Sequence, residues 1–198
     1  MKLFPILVIS ALVAMPTYAQ ENRQLDAHEH GVGQLDIAFD GNQIAIELHA
    51  PGADIVGFEY SAENADDHAE INAAIATLTR PLNLFVLPDA AGCSVVNASA
   101  GLESEEDHGA HDDEHAGEDD GHDDDAEEDH ENVAGHTEFQ AEYLLTCADP
   151  AAITHITFAY FDAFPNALKV KVQTISDTGA ASFEVERSMS TLDLRGMY

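Results

Sequence analysis

The amino-acid sequence predicts an α+β fold rich in strand: a single antiparallel, β-sandwich-like domain with one main helix and one long disordered loop. Three observations predict it. Apolar and polar residues alternate through several short runs. Only one clear segment has the spacing of an amphipathic helix with a capping residue before it. One long stretch is acidic and lacks any large apolar side chain.

The first residues read as a leader. Lys2 gives a positive start, Leu3 to Val13 is apolar apart from Ser10, and Thr17-Tyr18-Ala19 ends in the small residue that a signal peptidase reads. The apolar run is too short to span a bilayer. Residues 1–19 are therefore expected to be a signal peptide. Residues 20–198 should form one exported domain, of a length that supports a core of its own. No later stretch is apolar enough for membrane insertion after cleavage.

A β-hairpin opens the folded part. Leu35, Ile37 and Phe39 alternate with polar or small residues, and so do Ile44, Ile46 and Leu48. Gly41-Asn42 between them suits a tight turn, because both residues tolerate positive φ. That turn pairs Phe39 with Ile44, Ile37 with Ile46 and Leu35 with Leu48, apolar against apolar. On the other face Asp36 meets Glu47, and Gln34 meets His49.

The main helix should run from about residue 64 to 79. Asn64 is its cap, Asp66 and Asp67 sit where the helix dipole favours acids, and Pro81 ends it. Ile71, Ile75 and Leu78 form its apolar stripe. Strands are then expected over Leu82–Leu87, Cys93–Val96, Glu138–Cys147, Ile153–Phe161, Leu168–Ile175 and Ser182–Arg187, with a short one at Thr191–Arg195.

The acidic stretch is an insertion, counted over 103–136 as a loop, with its densest part at Glu103–Glu131. Within that part 17 of 29 residues are Asp or Glu and five are His. It cannot bury enough apolar surface to offset its ordering entropy, so disorder is expected. The whole chain carries a net charge of −31. That balance excludes a nucleic-acid binder, whose phosphates need Lys and Arg, and suits cations.

His108, His111, His115, His122 and His130 lie among these acids. Neutral imidazoles with carboxylates are the nitrogen and oxygen donors that zinc, copper, nickel and cobalt accept. Their irregular spacing describes several weak, exchanging sites rather than one rigid cage. An EF-hand register centred on Gly121 fails, because it puts Ala116 at the first ligand position. A second constellation is His28-Glu29-His30-Gly31, where an H-x-H places two imidazoles on one side of an extended strand. His136, where the insertion rejoins the fold, is a further candidate ligand. His49 is another, from the polar face of its strand. His68 shares a helix face with Ile71 and Ile75 and reads as structural. His155 reads as surface or core-edge.

Cys93 and Cys147 flank the insertion. In an exported chain this pair reads first as a disulfide, closing the base of the insertion, with a thiolate metal site as the alternative. No C-x-x-C, G-x-S-x-G, phosphate loop or H-E-x-x-H occurs, so no enzyme is expected.

Several segments together carry a family resemblance. They are His28-Glu29-His30-Gly31-Val32-Gly33, Glu47-Leu48-His49-Ala50-Pro51, Asp54-Ile55-Val56-Gly57-Phe58-Glu59 and Phe161-Asp162-Ala163-Phe164-Pro165-Asn166, besides the two cysteines around the insertion. With these the chain resembles the ZrgA-like, zinc-regulated periplasmic proteins over nearly all of its mature length. The resemblance, not the composition, selects zinc (Zn2+) as the ion. It implies a bacterial periplasmic protein that captures and buffers zinc and assists high-affinity import. The implied partner is a zinc ABC transporter or that transporter's periplasmic binding protein. It also implies His28 and His30 as ligands, with the loop histidines accessory. Relatives often carry histidine after G-F-E, where this chain has Tyr60. The competing readings are a copper- or nickel-sequestering tolerance protein, and an adaptor whose acidic loop binds a basic partner.

Overall fold

The structure, a computed structural model, describes residues 29–104 and 136–196. The expected leader over 1–19, His28, and the insertion histidines His108, His111, His115, His122 and His130 lie outside the described residues.

Among the described residues nine strands form two sheets. In the larger one, β4 (Cys93–Ser104), β5 (Thr137–Cys147), β2 (Gln43–Pro51), β1 (Val32–Asp40), β7 (Lys169–Ser176) and β8 (Gly179–Glu186) lie side by side in that order. The smaller sheet joins β3 (Phe85–Val86), β6 (His155–Phe158) and β9 (Thr191–Asp193). All pairings are antiparallel except β1 with β7, which are parallel. A parallel neighbour needs a long crossover, and here most of the chain intervenes between β1 and β7.

The β1–β2 hairpin has the register expected from its turn: Phe39 faces Ile44, Ile37 faces Ile46 and Leu35 faces Leu48. Gly41 adopts φ 56°, the positive value the turn demands. One face of the large sheet is thereby apolar and buried, with Leu35, Ile37, Ile46, Leu48, Phe139, Tyr143, Leu145, Val170 and Val172 all inside. The small sheet supplies the cover. Phe85 on β3 meets Tyr143 on β5 at 6.3 Å between ring centroids and lies edge-on to Phe158 of β6 at 5.4 Å.

The main helix, α2 (Ala65–Leu78), runs as expected and follows a single helical turn, α1 (Gly52–Ile55). Asn64 accepts from the Asp66 and Asp67 amides at 2.9 and 3.0 Å, satisfying two of the helix's free N–H groups. Ile71, Ala74 and Leu78 are buried. His68 departs from expectation, for it is exposed, and the buried group of that turn is Asp67. The Asp67 carboxylate accepts from the Glu63 amide and the Asn64 side chain.

Three single helical turns were not expected. These are α1 (Gly52–Ile55), α3 (Pro81–Leu84) and α4 (Tyr160–Ala163). Two of them shorten predicted strands. Pro81 starts α3, so only Phe85 and Val86 pair as strand, and the run expected over Ile153–Phe161 narrows to His155–Phe158 before α4. Proline suits the first turn of a helix, where its missing N–H leaves no bond unmade.

The disulfide between Cys93 and Cys147 is present. Its position corrects one expectation. The cysteines face each other at one end of the β4–β5 ladder, and Ser104 faces Thr137 at the other end, where the insertion departs. At roughly 3.3 Å per residue, about 35 Å of paired strand separates them. The disulfide therefore staples the far end of the hairpin, and the base of the insertion is held by the ladder itself. Glu103 and Ser104, expected in the insertion, belong to β4. Among the described residues no helix is long and apolar enough to cross a membrane.

Candidate functional site

Two of the predicted histidines come together, and they meet at an acid the sequence did not single out. His30 stands just before β1 and His136 just before β5. His136 Nδ1 lies 3.0 Å from Glu59 Oε2, and His30 Nε2 lies 3.6 Å from the same oxygen. Both imidazoles are open to solvent, at 67% and 51% side-chain exposure, whereas Glu59 is only 13% exposed. The other Glu59 oxygen, Oε1, is buried and has no hydrogen-bond partner among the described residues.

Local sequence explains why these groups meet. Gly31 adopts φ 83°, and its amide donates to the buried Asp54 carboxylate at 2.6 Å. The Gly31 carbonyl accepts from the Leu168 and Lys169 amides. His30 is thus tied by its neighbour's backbone to both α1 and β7. After α1, Gly57 at φ 87° turns the chain toward Phe58 and Glu59. Phe58 stacks on Tyr60 at 4.6 Å, and the Asn166 side chain donates to the Ala53 carbonyl at 3.1 Å. Gly52 is needed for closeness: a Cβ there would lie 2.4 Å from Thr137 Oγ1 and 2.6 Å from the Phe58 carbonyl.

The last segment is clamped by Arg187. Its guanidinium donates to the carbonyls of Phe161, Phe164 and Ala167 at 2.6–3.0 Å and lies 5.6 Å over the Phe161 ring. Three of the segments that carried the family resemblance, those around His30, Asp54–Glu59 and Phe161–Asn166, thus build this corner of the molecule.

His49 is placed elsewhere, on the solvent face of the large sheet. Its Nδ1 lies 3.4 Å from Glu138 Oε2 and its Nε2 lies 3.0 Å from Glu47 Oε1. The Glu138 hydrogen bond, aided by Glu47 and opposed by burial, pushes the imidazole pKa up to about 9. The charge has a local use. Glu138 stands directly opposite Glu103 where the insertion leaves the sheet, and Glu142, Glu47 and Asp36 follow one another across β5, β2 and β1. Like charges directly opposite destabilise a ladder, and His49 offsets them. Burial and then Glu47 raise the Asp36 pKa, with His49 acting against both.

An open concavity of about 730 Å³ covers this acidic row and the small residues beside it, including Ala38, Ala45 and Ala180. It is larger than the recess of about 480 Å³ beside His30. Of the two histidines that meet Glu59, His30 lines the smaller one and His136 does not, so the chemistry rests on side-chain convergence rather than volume. Among the described residues no three His, Cys, Asp or Glu side chains stand close enough, as placed, to hold a metal ion. His155 is exposed, beside the Thr154 hydroxyl at 3.0 Å.

Glu59 was legible in the sequence only as part of the G-F-E segment. No curated protein matches the chain. The family described as ZrgA family zinc uptake protein matches residues 27–194, a span that takes in both sheets, the disulfide and all three members of the His30–Glu59–His136 group. The chain belongs to the ZrgA family of zinc uptake proteins.

Proposed function

We propose that this protein is an exported, periplasmic zinc carrier without enzymatic activity. It captures zinc, buffers it, and assists its import by a zinc ABC transporter, directly or through that transporter's binding protein. The observation that carries the proposal is the meeting of His30 and His136 on the Glu59 carboxylate. The H-x-H segment and the exit of the His/acid insertion are the two features whose composition calls for metal, and their ordered ends reach one point. Family membership selects zinc among the ions that imidazole and carboxylate accept. The insertion's five histidines and many acids supply further donors and negative charge that favour cations.

Zinc titration of the leaderless protein, beside a variant lacking residues 105–131, tests this. The intact protein should bind several equivalents, and the shortened one fewer but at least one. Absence of zinc binding by the intact protein at micromolar metal would end the proposal. A copper- or nickel-tolerance role would appear as tighter binding of those ions together with no growth defect under zinc starvation when the gene is deleted.

A further inference from the structure

We propose that the outward face of the large sheet is a docking surface for a basic, amphipathic helix of a partner protein. This goes beyond zinc binding and does not depend on it. Two neighbouring rows of side chains cross the face. In one, Glu142 on β5, Glu47 on β2 and Asp36 on β1 stand directly opposite one another, with Ser99 of β4 and Gln173 of β7 beyond them. In the next, Leu144, Ala45, Ala38 and Ile175 line up across β5, β2, β1 and β7. The concavity of about 730 Å³ lies over both rows and reaches from Asn97 on β4 to Ser182 on β8, so all six strands form its floor. Small side chains at Ala38 and Ala45 keep that floor low, and Ile175 is 56% exposed at its side.

Charge names the occupant. Among the described residues the concavity is lined by three acids and by no Lys or Arg. Lys169, Lys171 and Arg195 are engaged elsewhere, by Glu184, Glu29 and Asp193, and Arg187 by backbone carbonyls. Carboxylates directly opposite one another weaken a ladder. Of these three, His49 contacts Glu47. The row therefore destabilises the free protein, and an incoming cation relieves it. A second copy of this chain, at net charge −31, is repelled from the face.

Spacing names the shape. Adjacent strands lie about 4.8 Å apart, so the three acidic positions span about 10 Å. Lys or Arg at i, i+4 and i+7 of a helix also span about 10 Å, at 1.5 Å per residue. Three alternate side chains of an extended segment span about 13 Å and fall out of step. Apolar residues beside the cations of such a helix meet the row of Leu144, Ala45, Ala38 and Ile175. The six strands measure about 24 Å across, the length of roughly 16 helical residues.

The test is fluorescence anisotropy in physiological salt, with leaderless protein and a labelled synthetic helix of about 16 residues. The helix carries Lys at i, i+4, i+7 and i+11, with Leu and Ala on the adjoining stripe. The panel is wild type, Asp36→Asn/Glu142→Gln, Ala45→Tyr and a variant lacking 105–131. Wild type and the shortened protein should bind alike. Asp36→Asn/Glu142→Gln should weaken binding by at least about fivefold, the effect of losing two ordinary ion pairs. Its urea midpoint should be no lower than that of wild type, because opposed charges leave the ladder. Ala45→Tyr fills the floor without altering charge and should weaken binding as much. Binding that responds to the carboxylates but not to Ala45→Tyr is a diffuse charge effect and overturns the proposal. So do equal binding by wild type and both substituted proteins, loss of binding on removal of 105–131, and no binding by wild type. Self-association of wild type that Ala45→Tyr abolishes overturns it too, since a second copy then covers the face.

Discussion

Replacing Arg187 by methionine removes the clamp on which the candidate site leans. In the folded protein its guanidinium donates to three backbone carbonyls, of Phe161, Phe164 and Ala167. Hydrogen bonds to a charged partner contribute about 1.5–3 kcal/mol each. At the low end, three carbonyls left without their donor cost about 4–5 kcal/mol, and water entering a part-buried position returns some of that. The expected loss is about 3 kcal/mol. With a urea slope near 2 kcal/mol/M, the unfolding midpoint should fall by roughly 1.5 M. Arg187→Lys should recover little, since an ammonium cannot span three carbonyls as the planar fork does. The effect should reach the site. Asn166 of the clamped segment holds the Ala53 carbonyl, and Leu168 and Lys169 hold the Gly31 carbonyl beside His30. Urea unfolding followed by far-UV circular dichroism measures the stability. A loss below about 1 kcal/mol for Arg187→Met would refute the clamp.

Reduction of Cys93–Cys147 should destabilise the fold, because the crosslink closes a loop with a sequence separation of 54. The chain-entropy relation gives about 4 kcal/mol. Removing residues 105–131 shortens that loop and should lower the crosslink's contribution by less than about 1 kcal/mol, as the dependence on length is logarithmic. A double cycle of reduction and deletion reads both, and a coupling above about 2 kcal/mol would contradict this placement of the disulfide. His49 gives a pH dependence of defined sign. Its folded pKa, about 9, lies above the ordinary 6.5, so its contribution is complete below pH 6.5 and lost as pH rises toward 9. After allowance for solvent screening of a ring that is part exposed, the contribution is about 1–2 kcal/mol. Urea midpoints should therefore fall between pH 6.5 and 9 in the wild type and change less in His49→Gln; equal slopes would count against the imidazolium.

What was legible in the sequence followed how local the determinant was. The β1–β2 register was readable because a turn at Gly41-Asn42 leaves no choice of partner, and a one-residue slip would turn Leu35, Ile37 and Phe39 to solvent. Helix α2 was readable from Asn64 and the acids after it. The single turns α1, α3 and α4 were not, since four residues carry no period. The parallel pairing of β1 with β7 depends on contacts across most of the chain, and no local pattern encodes it. The place of the disulfide escaped for a related reason: β4 continues through small and polar residues such as Ala98, Ser99 and Gly101, which carry little strand signal. Within the candidate site His30 and His136 stood out as residue types. Glu59 did not, being one of 38 acids, and only the tertiary fold sets it apart by withdrawing it from water between the two imidazoles. His49 was singled out by its strand face, and only the fold shows that Glu138 and Glu47 flank it.

The most direct test of the account is metal analysis of the untagged protein, recovered from its native compartment without chelators or metal-affinity steps. Elemental analysis by mass spectrometry should find zinc as the main transition metal, at one equivalent or more per chain. Protein that carries no zinc and takes none up at micromolar concentration would contradict the account, and so would protein in which copper or nickel replaces zinc.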